Sequence, residues 1–388
     1  MVSKKVLFQV FLFCFCSAVA NSVEFSYPAV FNFGDSNSDT GELAAGLGFL
    51  LAPPNGQNYF NSPSGRFCNG RLIVDFLMDA MKLPFLNAYM DSVGLPNFQQ
   101  GCNFAAAGST ILPATAKSIS PFGFGVQVSQ FLRFRARVLE LLEGKKLDQY
   151  IPSEDCFEKG LYMFDIGQND LAGAFYSKNL NQILASIPTI LLEFETGIKK
   201  LYDHGARNLW IHNTGPLGCL PQVVAKFGTN PSKLDELGCV SSHNQAAKTF
   251  NLQLQVLCNK LKGQYTDANI TYVDIFTIKS DLIANYSRHG KCNLRNYCYY
   301  MFAGFEQPIM ACCGYGGPPL NYDSRVSCGL TKILNGTTIT AKGCNDSSVY
   351  VNWDGIHYTE AANQYVASQI LSRNYYNTPL ADKMPFLL

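Results

Sequence analysis

Short apolar runs that stop at glycine or acidic residues alternate along this chain with stretches of helical spacing. Ala29 to Phe33 and Gly160 to Ile166 read as buried strands of a parallel sheet, because their apolar and aromatic residues are nearly continuous. Asn208 to Asn213 and Asn269 to Asp274 read as two further strands, and Gly101 to Ser109 as a strand running into a turn of small residues. Between them, Ile183, Ile187, Ile190, Leu191, Phe194, Ile198 and Leu201 give Asn181 to Asp203 the spacing of a helix that buries one face. Pro188 is expected to kink that helix. Cys239 to Leu261 suits a second helix and Glu360 to about Ile370 a third, the latter capped by Thr359. Strand and helix patterns in alternation predict a mainly parallel five-stranded sheet covered on both faces, a three-layer α/β/α, flavodoxin-like fold.

Long insertions interrupt this frame at Pro53 to Arg71, Ser109 to Gly125 and Tyr286 to Ser348. In a doubly wound fold such loops gather at the carboxyl edge of the sheet and wall the pocket. Their aromatics (Phe60, Phe122, Phe124, Tyr299, Tyr300, Phe302, Phe305, Tyr315) are candidates to line an acyl or sugar pocket, with packing on the core as the alternative.

Candidate chemistry concentrates in four segments. The first strand stops in Gly34-Asp35-Ser36, which sets a hydroxyl on a strand-to-helix turn, the way several folds expose a serine nucleophile. Asp35 is expected to brace that turn. Near the other end, Asp354 and His357 lie three residues apart before the last helix; an imidazole held by a carboxylate is what a serine needs as general base. Gly167-Gln168-Asn169-Asp170 ends a buried strand with an asparagine amide able to donate to a developing oxyanion. The backbone N–H of Gly108, in Asn103 to Ser109, offers a second donor. Ordinary turn chemistry explains each of these segments taken singly. His212 sits at the same sheet edge and reads as structural, with substrate contact as the alternative. His204, His243 and His289 show no partner pattern and read as surface or cap residues.

Together the four segments resemble a plant GDSL esterase/lipase of the SGNH hydrolase superfamily, in the branch that includes early-nodulin-like and α-fucosidase-labelled members. The nucleophile motif matches Gly34-Asp35-Ser36, with Asn37 where the family usually has leucine. The glycine block matches Asn103 to Ser109, with Ala106-Ala107 in place of the common Ser-Gly. The Gly-x-Asn-Asp block matches Gly167 to Asp170 and the Asp-x-x-His block Asp354 to His357. The resemblance implies a Ser36–His357–Asp354 triad, with an oxyanion hole from the N–H groups of Ser36 and Gly108 and the Asn169 amide. It implies carboxylic ester hydrolysis through an acyl-enzyme, with no cofactor and no metal. An acyltransferase using the same triad is the first alternative, since its first half-reaction is identical. A glycan-directed enzyme, an acetylesterase or α-fucosidase, and a non-enzymatic binding or storage glycoprotein are the others.

Composition adds the compartment. Of the 388 residues, Met1 to Ala20 reads as a secretory signal: Lys4 and Lys5, an apolar run from Val6 to Cys16, then Ala18-Val19-Ala20. Residues 21–388 are then expected to form one hydrolase domain. The apolar run is too short to span a bilayer, and no later stretch is long enough. Fourteen cysteines become twelve once Cys14 and Cys16 leave with the signal, an even number that favours disulfides over zinc in a secreted chain. Cys102, inside a predicted strand, reads as a buried thiol. Sequons at Asn269, Asn285, Asn335 and Asn345 predict a glycoprotein, extracellular or in the cell wall. A formal net charge of +1 with 15% charged residues offers no basic face for nucleic acid. The expected partner is a small-molecule, glycan or lipid ester, and the expected state a monomer.

Overall fold

The computed structural model describes residues 26–377 apart from 94, 117, 145–148 and 290–303. The signal segment, Cys292, Cys298, Tyr299, Tyr300 and Phe302 therefore lie outside the described residues.

Along the chain run β1 (Val30–Gly34), α1 (Glu42–Leu47), α2 (Ile73–Ala80), β2 (Gly101–Asn103), α3 (Phe124–Glu143), α4 (Cys156–Lys159), β3 (Leu161–Asp165), α5 (Gln168–Ala174) and α6 (Leu180–Asp203). They are followed by β4 (Asn208–His212), α7 (Pro221–Phe227), α8 (Ser241–Gln264), β5 (Asn269–Val273), α9 (Ile275–Ala284), β6 (Gln307–Ala311), β7 (Thr331–Leu334), β8 (Thr337–Thr340), β9 (Tyr350–Asn352) and α10 (Glu360–Leu371).

Five strands form one parallel sheet in the order β2-β1-β3-β4-β5. Val30 pairs with Gly101 on one side and Leu161 on the other, so β1 lies between strands reached in opposite directions. That reversal is the topological switch point, where the carboxyl ends of β1 and β3 leave a crevice. Helices α3, α6 and α8 pack together, as do α2, α9 and α10, giving a layer on each face. The core is aromatic: Phe31 and Phe33 of β1 meet Phe131 of α3 at 5.4 and 5.9 Å, and Phe33 stacks on Phe104 and Phe164. β1 and β2 are fully buried and β3 and β4 nearly so, as their apolar runs require, while β5 buries Ile270, Tyr272 and Val273 and leaves Asn269 exposed at the sheet edge.

The predicted helix boundaries hold at α6 and α10, and Pro188 lies inside α6. Helix α8 starts at Ser241 rather than Cys239, because Cys239 is bonded to Cys219 and Val240 still has extended backbone. The Tyr286 to Ser348 stretch is more than loop. It carries β6, which pairs with β9, and a β7–β8 hairpin turning on Asn335-Gly336, both with positive φ. Phe124 is core rather than pocket wall: it is fully buried and lies 5.1 Å from Phe194.

Six described cysteines are paired, as Cys219–Cys239, Cys312–Cys344 and Cys313–Cys328. Cys68, Cys102, Cys156 and Cys258 are buried thiols. Among the described residues no helix is long and apolar enough to cross a membrane.

Candidate active site

Ser36 follows β1 by two residues, inside a turn in which the Ser38 N–H donates to the Asp35 carbonyl at 3.1 Å. Crowding, rather than a left-handed backbone, demands glycine at position 34: a Cβ there would lie 2.5 Å from Ser38 Oγ and 2.7 Å from the Asp165 carbonyl. Asp35 braces the turn as expected. It is fully buried, Oδ1 accepts the Asn37 N–H at 3.1 Å and Gln168 Nε2 at 2.8 Å, and Oδ2 accepts Asn169 Nδ2 at 3.3 Å. Burial, then the nearby Asp165 charge, push its pKa well above the usual carboxylate range, against the Asn37 N–H, Gln168 and Lys279.

Side chains cross-clamp the predicted segments. Asn169 Nδ2 also donates to the Ser109 carbonyl at 2.9 Å, and Asp170 accepts the Ile111 and Leu112 N–H groups at 2.8 and 3.0 Å. Burial raises the Asp170 pKa to about 6 despite those bonds. Asp39 accepts the N–H groups of Gly41, Glu42 and Leu43 at the start of α1, and that of Ala107, 68 residues away, at 2.7 Å. Burial lifts its pKa to about 6 as well, against those four donors. Gly108, next to Ala107, has φ +74°, a conformation glycine adopts without strain. Neither the Ser36 N–H nor the Gly108 N–H donates to another described residue.

Asp354 and His357 lie on the connection between β9 and α10, in a bend rather than a helical turn. His357 Nδ1 meets Asp354 Oδ2 at 2.6 Å, while Asp354 Oδ1 accepts the N–H groups of Ile356 and His357 at 3.0 and 2.8 Å. Burial raises the Asp354 pKa, but the His357 charge and these hydrogen bonds outweigh it and leave the carboxyl below its ordinary value. Thr359 caps α10 by accepting the Ala362 N–H, as predicted. The Phe67 ring lies 5.4 Å from the His357 ring and packs with Leu43, Ala106 and Ala107. It thereby joins the histidine segment to the serine and glycine loops. Ser36 and His357 are each 7% exposed. Ser36 Oγ and His357 Nε2 do not hydrogen-bond to each other here; such pairs are often long without substrate and tighten in the reacting complex.

The loop from Pro53 to Arg71 proves to be a brace for this histidine segment. Trp353 Nε1 donates to Asn55 Oδ1 at 2.9 Å, the Glu360 N–H to Asn69 Oδ1 at 2.7 Å, and Arg71 pairs with Glu360 at 2.7 Å. Those partners are nearly 300 residues apart, and no local pattern marks them.

The other histidines divide. His212 ends β4 with both ring nitrogens buried and unpartnered, against an apolar cavity with no room for water, lined by Ile111, Phe164 and Phe250 among others. It reads as structural. His243 is a correction: it is buried, not a surface residue, and stacks on Phe175 at 3.6 Å. His204 caps α6 and His289 pairs with Asp281 at 2.8 Å. Among the described residues no cluster of His, Cys, Asp and Glu could hold a metal ion.

A five-stranded doubly wound sheet with these turns gathered at its switch point is the architecture of an SGNH-type hydrolase. The family model GDSL-like Lipase/Acylhydrolase matches residues 30–370, and the chain belongs to that family. A GDSL esterase/lipase of Arabidopsis thaliana is 63% identical over 402 residues, covering 100% of this chain and 98% of its own. A second from the same plant is 61% identical over 366 residues, 93% of each. A third Arabidopsis relative, alpha-L-fucosidase 3, is 40% identical over 371 residues, 94% of this chain and 95% of its own. The protein is a hydrolase acting on ester bonds.

Proposed function

We propose that the protein hydrolyses carboxylic esters through an acyl-enzyme on Ser36. His357 Nε2 takes the serine proton as Oγ attacks the carbonyl carbon, and Asp354 holds the imidazole in the tautomer that leaves Nε2 able to accept. The oxyanion is met by the N–H groups of Ser36 and Gly108 and by the Asn169 amide. His357 returns its proton to the leaving alcohol, and water then releases the acid by the same steps in reverse order of roles. The observation that carries this reading is the 2.6 Å contact between His357 Nδ1 and Asp354 Oδ2, which leaves the other ring nitrogen for chemistry. Support also comes from the two unengaged N–H groups and from the Asn169 bond to Asp35, at 3.3 Å the longer of its two and the one an oxyanion would replace.

Ser36→Ala should fold and lose turnover of short p-nitrophenyl esters; wild-type rates in that variant would refute the assignment. Asn169→Ala should lower kcat about 10² to 10³-fold with KM little changed.

Substrates are proposed to be neutral esters with an apolar acyl part. Ile119, 77% exposed, borders Gly108, and no charged residue occurs between Leu43 and Gly65. A glycosidase reading would need two carboxyls flanking a bond, but the carboxylates around Ser36 are committed: Asp35 and Asp170 clamp loops and Asp354 holds His357. Transfer to an alcohol in place of water is distinguished by following products with acceptor alcohols present.

Secretion after loss of residues 1–20, with residues 21–388 as one domain acting as a monomer, completes the proposal. Three disulfides fit that compartment. Asn269, Asn335 and Asn345 are exposed, whereas Asn285 is half-buried with Nδ2 donating to Asp281. Glycans are therefore expected at the first three, as a mass loss on enzymatic deglycosylation.

A further inference from the structure

Lys279 stands on the inner side of α9 and is 3% exposed, yet its ammonium makes no hydrogen bond or ion pair with a side chain among the described residues, its contact being the Tyr358 ring. A buried ammonium without a close counter-charge is costly, and side chains of this kind persist where their charge is used. Its surroundings are the catalytic edge of the sheet. Nζ lies 4.2 Å from the ring centroid of Tyr358, the residue after His357, and the side chain packs on Gly215 in the loop after β4. The charged and titratable groups that face it are Asp35 after β1, Asp165 at the end of β3, His212 at the end of β4 and Tyr358 itself. Asp165 is also the residue whose carbonyl accepts the Asp35 N–H, at 3.3 Å.

Asp35 in turn accepts three N–H groups, from Asn37, Gln168 and Asn169, and donates to none; that is the pattern of an ionised carboxylate. Full burial and the neighbouring Asp165 both work against that charge. We propose that Lys279 is a positioning residue for ester hydrolysis: its buried ammonium offsets the Asp35–Asp165 repulsion, which favours the ionised form of Asp35, and that carboxylate holds the Gln168–Asn169 turn through Gln168 while the Asn169 amide is left to turn to the oxyanion. The inference rests on the oxyanion role given to Asn169 above. Burial lowers the Lys279 pKa, and Asp165 and Asp35 oppose that fall.

The test is the pH profile of kcat/KM for a short p-nitrophenyl ester with Lys279→Met, which keeps the apolar stem and removes the charge. Without the ammonium, Asp35 takes up a proton more readily. The acid limb should move to higher pH by about one unit, with the rate recovering at alkaline pH. Adding Asp165→Asn to Lys279→Met removes the opposing charge and should return the limb toward wild type. Asp165→Asn alone should move it to lower pH, and it serves if Lys279→Met does not fold. An acid limb unchanged in every folded variant, or a uniform loss of rate at all pH values, overturns the proposal. On an Asn169→Ala background, Lys279→Met should add little further loss; full additivity contradicts action through Asn169. Should Asn169→Ala itself leave kcat unchanged, the oxyanion assignment fails instead, so the two ideas fall separately.

Discussion

Asp354 serves two ends with one carboxylate: Oδ1 shapes the bend by accepting the Ile356 and His357 N–H groups, and Oδ2 takes the imidazole. Replacing it with asparagine keeps the shape but presents an amide where an anion is required. Asp354→Asn should lower kcat by about 10⁴-fold with KM nearly unchanged in steady-state assays; a purely KM effect would argue for a binding role. Asp39 is the less obvious residue. Its Oδ2 joins the serine loop to Ala107, the neighbour of Gly108, so Asp39→Asn turns an NH₂ toward N–H donors. That variant should lose about 1–3 kcal/mol of stability by denaturant titration and turn over more slowly. Residues whose chemistry is local were legible in the sequence: Gly34-Asp35-Ser36 on its turn, and Asp354 three before His357. Asp39 was not, because its deciding partner lies 68 positions away. Lys279 was not singled out, since nothing in its local sequence marks the burial that the fold imposes on it.

Strands with continuous apolar runs declared themselves, since a parallel sheet buried on both faces leaves no polar alternation to confuse them. β6, β7 and β8 did not. Thr331 to Thr340 is threonine-rich and largely exposed, and its Asn335-Gly336 turn was read as a sequon in a loop rather than as a hairpin turn. His243 on α8 was misread for a related reason: burial depends on what packs from outside the helix, here Phe175 and Phe227. Its Nε2 is buried without a partner, and burial lowers its pKa from about 6.5 to about 4. The unfolded chain therefore binds more protons than the folded one between those values. Stability should be constant above about pH 6.5 in this respect and fall as pH drops toward 4. Denaturant midpoints at pH 7 and 4.5 measure that fall, and His243→Leu should reduce it; an unchanged slope would contradict a neutral buried imidazole.

Across the molecule, chain segments far apart in sequence meet around one crevice because the strand order reverses at β1. The sheet supplies Ser36, Gly108 and Asn169 from the ends of three adjacent strands. The histidine comes from outside it, and its segment is held by the Pro53 to Arg71 loop and the disulfide-bonded insertion. The Cys313 N–H donates to the Trp353 carbonyl at 2.6 Å, and the Cys313–Cys328 link closes a 15-residue separation. Converting both cysteines to serine should cost about 3 kcal/mol in unfolding experiments and lower kcat by loosening the Asp354–His357 bend. Stability lost with kcat intact would mean that the insertion does not brace the site. Composition foretold the disulfides but not their pairing, which is set by how the insertion folds back on β9.

Covalent capture reads the central claim most directly: incubation with a fluorophosphonate ester, then peptide mass spectrometry alongside residual esterase activity. One adduct per chain on Ser36, appearing in step with the loss of activity and absent from His357→Ala, is the predicted result. Full inactivation with the adduct on another residue, or a labelled Ser36 in a protein that still turns over ester, would contradict it.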